Sequence, residues 1–221
     1  MRGVVMNQKN FFYHRMIFYI SGLLIMSVGS NLFLKAALGV APSCTIALTL
    51  TYLFPFHSYA SFNFLINTAF LIGEIAVMRQ LKKSQLIQLA LTFLYSAFIE
   101  CTSRGLYFIQ PEGILEKISL SLLACIILSI GVAFTINSGF AVMPMEGLVK
   151  SIAEKTKHSF GAIRVLLELS LTACSAILAF TLLHNLSPIG IGTILTAFLS
   201  GNITNLFAFF FGKRMQAFLG V

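Results

Sequence analysis

The sequence has no tryptophan and no aspartate, and its acidic residues are seven glutamates. Charged residues make up only 10% of the 221 positions, against roughly a quarter in a soluble domain. With 57% of the chain apolar, a soluble fold could not keep that surface from water, so the soluble classes are excluded. The four cysteines, Cys44, Cys101, Cys125 and Cys174, are far apart, and none has the CxxC spacing of a metal or redox site. They read as small hydrophobes and say nothing of the redox compartment. No His or carboxylate cluster has ligand spacing, so no metal is expected, and no cofactor motif is present. An enzyme is the weakest reading, since the chain lacks aspartate and shows no nucleophile–base pair.

What is present is hydrophobic length. Six runs are long enough to cross a bilayer, at about 20 residues per helix: Met16–Leu34, Phe62–Met78, Ser84–Ser103, Ile118–Ala141, Gly161–Leu183 and Pro188–Phe211. The expected architecture is a single all-α membrane domain over residues 1–221. The N-terminal run could be a signal peptide, but its length and the spans that follow favour an uncleaved first span. With the N-terminus in the cytoplasm, that side carries Arg2, Lys9, Arg15, Arg79, Lys82, Lys83, Lys150, Lys155, Lys157, Arg164, Lys213 and Arg214. The outer side carries only Lys35, Arg104 and Lys117. This asymmetry places both ends of the chain in the cytoplasm. It also accounts for the net charge of +8 without nucleic acid as a partner.

The two halves of the chain echo each other. Ser27-Val28-Gly29 pairs with Ser129-Ile130-Gly131, Val40-Ala41-Pro42 with Val142-Met143-Pro144, and His57-Ser58-Tyr59 with His158-Ser159-Phe160. Further on, Phe93-Leu94 and Glu100 pair with Phe198-Leu199 and Asn205. Chance likeness between apolar segments is the competing reading. A repeat of three spans (about 16–104 and 117–212) would set the second half upside down relative to the first, a construction common in secondary transporters.

After spans one and four the helix should break. Gly39 and Gly139 free the backbone, and Pro42 and Pro144 remove a donor. A short helix follows each break. Ser43–Phe56 fits a re-entrant or an interfacial helix equally, whereas the charged Met145–Lys157 fits an interfacial amphipathic helix better. Ionisable and amide groups inside spans mark candidate pathway positions. Glu168 follows Arg164 by four residues and aligns with Asn67, giving either a binding carboxylate or a structural ion pair. Glu74 and Glu100 read as interfacial. Asn31, Asn63, Asn137, Asn202 and Asn205 read first as helix-bridging amides. His57 and His158 suit an interface, and Gly190, Gly192, Ser200 and Gly201 form a small-residue face suited to close helix packing. The candidate substrate pathway is therefore Glu168, Asn67, Glu74, Arg164, Asn63, Asn31, Asn137, Pro42, Pro144, Gly39 and Gly139.

The string Ala-x-Leu-Gly-x-x-Pro at Ala36–Pro42, its weaker echo ending at Pro144, and Pro-Ile-Gly-Ile-Gly-Thr at Pro188–Thr193 resemble the YczE/YyaS/YitT group of bacterial membrane proteins. The chain ends just after the sixth span, so the likeness is to the YczE branch without a soluble C-terminal domain. The resemblance implies a multi-pass protein of the bacterial cytoplasmic membrane and supplies no substrate. The second break departs from the pattern, with Gly139-Phe140-Ala141 in place of Leu-Gly.

The expected function is a small secondary transporter or exporter of an anionic or zwitterionic solute, working by alternating access. Its partners would be the lipid bilayer, a small-molecule solute and a second copy in a homodimer. The alternative is a non-transporting subunit or regulator, such as the substrate-capture subunit of a larger transporter.

Overall fold

The computed structural model describes residues 8–212, and every regular element in them is helical. In chain order the helices are α1 (Gln8–Ala36), α2 (Thr45–Leu53), α3 (Tyr59–Met78), α4 (Lys83–Gly105), α5 (Ile114–Ser138), α6 (Pro144–Thr156), α7 (Phe160–Leu178) and α8 (Ile191–Phe207). A single 3₁₀ turn at Pro42–Cys44 leads into α2, and α7 and α8 each run on into a wider π-helical turn. Six of these helices are long and apolar enough to cross a membrane, and they match the six expected spans in order. Arg2, Lys213 and Arg214 lie outside the described residues.

The core is the contact between α1 and α5. Phe12 and Phe18 sit against Phe140 and Phe134, while Gly29 further along α1 meets Leu128, so the two helices run antiparallel. Three glycines let their backbones touch. A Cβ on Gly22 would lie 2.9 Å from Gly131 O, one on Gly29 2.7 Å from Leu128 N, and one on Gly131 2.7 Å from Met26 N. Small residues at a crossing are how membrane helices gain packing when lipid offers no hydrophobic driving force. Outer helices lean on this pair at equivalent places. Thr102 Oγ1 of α4 donates to Ser27 Oγ at 3.3 Å, and Thr204 Oγ1 of α8 donates to Ser129 O at 3.3 Å. Asn31 bridges α1 and α4, donating to Ile99 O at 2.8 Å and lying 2.7 Å from Thr102 Oγ1.

Both breaks follow one design. The residue after α1 is Ala37 (φ 52°), and the residue after α5 is Gly139 (φ 60°), both left-handed. Ala37, rather than Gly39, is therefore the counterpart of Gly139. Each following helix begins with a proline, Pro42 or Pro144, which already lacks an N–H and fits the first helical position. Ser58 and Ser159 cap α3 and α7, accepting from Ser61 N at 3.3 Å and Ala162 N at 3.2 Å.

The second short helix departs from expectation. Its charges suggest a helix lying at the headgroups, but α6 buries Pro144, Met145, Gly147, Leu148 and Val149. Met145 packs with Phe70, Leu148 meets Gly73, and Lys155 Nζ reaches Val77 O at 3.3 Å. The chain thus enters to the level of Phe70, about 12 Å along α3 from Met78 at 1.5 Å per residue, and α6 climbs back beside α3. Lys150, Glu154 and Lys155 line only its exposed side. The end of the bundle reached by Arg79, Lys82, Lys83, Lys155 and Lys157 is called the basic end below. Segment 43–56 behaves alike at the opposite end, with Thr49 of α2 bonded to Ser175 of α7 at 2.7 Å.

The glycine contacts set a stability test. Gly131→Leu forces α1 and α5 apart and should cost about 1–3 kcal/mol or prevent folding, as overpacking does. Gly201→Ala, with nothing within 4 Å, should be neutral or slightly stabilising. Thermal unfolding of both variants in detergent checks the pair; equal losses would show that the seam is not what holds the bundle.

Candidate functional site

The two halves of the chain pack differently. α3 packs along α4, but no comparable contact joins α7 to α8. A cavity of about 440 Å³ lies between α7 and α8. On the α7 side it is lined by Gly161, Arg164, Val165 and Glu168, and on the α8 side by Thr196, Ala197, Ser200, Gly201 and Thr204. Its floor is formed by Asn63 and Asn67 of α3, Tyr95 of α4, Ser30 of α1, and the starts of both short helices at Pro42–Cys44 and Met145–Glu146. A second cavity of about 690 Å³ shares Met26, Val132, Ile136, Met143, Glu146, Phe160 and Arg164 with the first. It continues past Glu74 and Gln88 to Lys82, Lys150 and Glu154 at the basic end.

The opposite end is closed by backbone. Gly192 N donates to Leu38 O at 2.7 Å, and Gly39 (φ 92°) lies against Gly190 and Thr193. A side chain at Gly192 would meet Gly39 O at 2.9 Å and Ser121 Oγ at 2.9 Å. The two strings around Gly39 and Gly190 are remote in sequence and form one contact in space, pinning the start of α8 against the first break.

The charges in the cavity are specific. Arg164 Nε donates to Glu168 Oε1 at 3.2 Å, a half-buried pair. Glu146, in the first turn of α6, lines both cavities within electrostatic reach of Arg164 and Glu168 and forms no ion pair among the described residues. Glu74 is 6% exposed. Its Oε1 accepts from Gln85 Nε2 at 3.3 Å, and its Oε2, set against Gly147, has no partner. Tyr19, fully buried, donates to Met143 Sδ at 3.1 Å and packs on Phe140, which fixes the second break beside the cavity.

The structure brings together most of the expected pathway. Glu168, Arg164, Asn67, Asn63 and Pro42 line the first cavity, and Glu74 and Gly139 line the second. Glu74 is not interfacial; the dip of α6 covers it. Asn67 Nδ2 donates to Asn63 O at 2.9 Å and to Asn63 Oδ1 at 3.0 Å, so these two amides form a unit on one helix. Asn31 is the helix bridge described above, and Asn137 bonds only its own helix at Ala133 O. Neither lines either of these two cavities. Pro144 is buried behind Met145, and Gly39 belongs to the closed end. Glu100 does form the expected surface pair, 3.4 Å from Arg104. The small-residue face of α8 splits in function: Gly190 and Gly192 pack closely, whereas Ser200 and Gly201 face the cavity. The Asn205 side chain lies outside the described residues. Sequence reasoning missed Glu146, whose signal was its place three residues into a helix that starts with proline at a break.

A profile of the family of unknown function DUF6198 matches residues 13–209. The chain belongs to that family. Among its relatives is the uncharacterized protein YyaS of Bacillus subtilis (strain 168), 26% identical over 196 residues, covering 86% of this chain and 90% of that protein. The matched span runs from the first turns of α1 through α8 into the π-helical turn after it, so it takes in both breaks and the cavity. No solved structure matches.

In a background without native cysteines, Ser200→Cys should react with a small polar thiol reagent applied from the basic end. Ser121→Cys, fully buried at the closed end, should stay unreactive. Mass spectrometry of right-side-out and inside-out vesicles reads both, and labelling of Ser121→Cys instead would invert the account of which end is open.

Proposed function

We propose that the chain is a small secondary carrier for an organic solute, caught in a state open at its basic end. The observation that carries this reading is the inequality of two like halves: α3 packs along α4, while α7 and α8 part over a cavity. Reciprocal contacts support an inverted repeat. Gly29 meets Leu128 and Gly131 meets Met26, and residues 29 and 131, like 26 and 128, are 102 apart. An exchange of that kind between antiparallel helices is what a two-fold axis in the membrane plane produces. If the halves swap conformations, α7 closes on α8, the seam at Gly39 and Gly190 opens, and the cavity faces the other side. By the positive-inside rule the basic end faces the cytoplasm, in a bacterial cytoplasmic membrane, with both chain ends inside. A homodimer is the assembly in this reading.

A substrate-capture subunit is the second reading. The outer faces of α7 and α8 favour it, since Leu166, Leu169, Ile177, Phe198 and Leu206 are all exposed and a larger partner could cover them. Co-purification of a stable second subunit would support it.

Uptake or efflux in proteoliposomes tests the carrier. Glu168→Gln removes the charge that holds Arg164 and should slow flux about tenfold, the scale of one charge-assisted hydrogen bond. Gly190→Val wedges the seam and should abolish exchange while leaving the protein monodisperse. No flux of any solute above protein-free liposomes would remove the carrier reading, and wild-type flux in both variants across a pH series would remove the roles given to Glu168 and the seam.

A further inference from the structure

We infer that the deep end of the second cavity binds a primary ammonium group, so that the solute is amine-bearing, zwitterionic or cationic rather than a simple anion. Glu74 and Gln88 are 6% and 5% exposed and line that cavity around Gly147. Glu74 Oε2 and Gln88 Oε1 are both buried acceptors without a partner. Such atoms are costly to leave unpaired, and two of them on neighbouring side chains that line one cavity call for a ligand that brings donors. Gln85 cannot turn to help, because its Oε1 is held by Lys82 N at 2.8 Å while its Nε2 already serves Glu74.

The charge around the spot points the same way. Lys150 pairs with Glu154 at 4.0 Å and Arg164 with Glu168 at 3.2 Å. Of the charged groups lining the second cavity, this leaves Glu74 and Glu146 at depth and Lys82 at the exposed mouth. Glu74 lies against Gly147 where α3 meets α6, and Glu146, one residue earlier on α6, lines both cavities, so neither carboxylate has a cation partner among the described residues at that depth. A bare metal ion would need a shell of six or so oxygens, whereas most of the remaining wall is apolar, with Met26, Val132, Ile136, Phe140 and Phe160 suited to an organic body. Nor does the architecture require an orphan here. The residue 101 positions on, Ser175, is equally buried where α7 meets α2, and it is paired with Thr49 at 2.7 Å. The binding site stands on this geometry; only its ligand's being the carried solute rests on the carrier reading.

The test uses the full chain purified in detergent, with butylammonium, butanol and butyrate as matched probes in thermal-shift and calorimetric titrations. Butylammonium should stabilise the protein, and the other two should not. Glu74→Gln and Gln88→Leu should each weaken the amine about tenfold or more, with Gly105→Ala, which lies in open space away from both cavities, unchanged. Equal stabilisation by butyrate or butanol, or wild-type amine binding in Glu74→Gln, overturns the inference. Should Glu74→Gln not fold, protection of Ser84→Cys from thiol labelling by butylammonium but not butanol decides the same point. Solute flux without amine binding overturns the site and leaves the carrier standing; amine binding without flux does the reverse.

Discussion

The whole bundle is built on backbone contact between α1 and α5. Lipid gives no hydrophobic gain to helices that associate, so cohesion has to come from close packing and polar bonds. Gly22, Gly29 and Gly131 remove the side chains that would hold the two helices apart. Everything else is placed relative to that seam. α4 and α8 lean on its flanks through Thr102 and Thr204, and each break starts where one of the two central helices ends. Without the seam neither short helix would have a fixed wall to turn against.

A chain that breaks its helices at membrane depth must satisfy or wet the freed backbone. Here the two breaks meet that demand differently. The first is sealed by protein, with Leu38 O taken up by Gly192 N and Gly39 lying on Gly190. The second opens onto the cavity, where Met143 and Glu146 form part of the lining. One end is therefore shut by backbone and the other is open between α7 and α8. The strings that carry the family resemblance fall on the sealed contact, which gives those glycines a physical role: any larger residue would pry α8 from the first break.

The six spans were legible because hydropathy and helix length are set by the bilayer, and the likeness of Gly29 to Gly131 and of Pro42 to Pro144 was legible because similar short strings recur about 102 residues apart. Arg164, Glu168, Asn63 and Asn67 could be picked out as polar groups inside spans. What could not be read was depth. Lys150, Glu154 and Lys155 gave α6 the pattern of an interfacial helix, yet its opposite face carries Met145, Leu148 and Val149 into the bundle. Misplacing α6 hid Glu146 and made Glu74 look interfacial, since both depend on which helix covers α3. Likewise Gly190 and Gly201 share one composition on one helix, and only the splay of α8 from α7 separates a packing glycine from a cavity glycine.

In the proposed carrier α7 and α8 part and close at the basic end while the bundle core stays fixed. Spin labels at Gly161→Cys and Gly201→Cys, both in open space, report that separation by pulsed electron resonance in a cysteine-free background. Two distance populations are expected, with a ratio that shifts when a bound solute or probe is added. A single separation, unchanged by every ligand that binds, would contradict it.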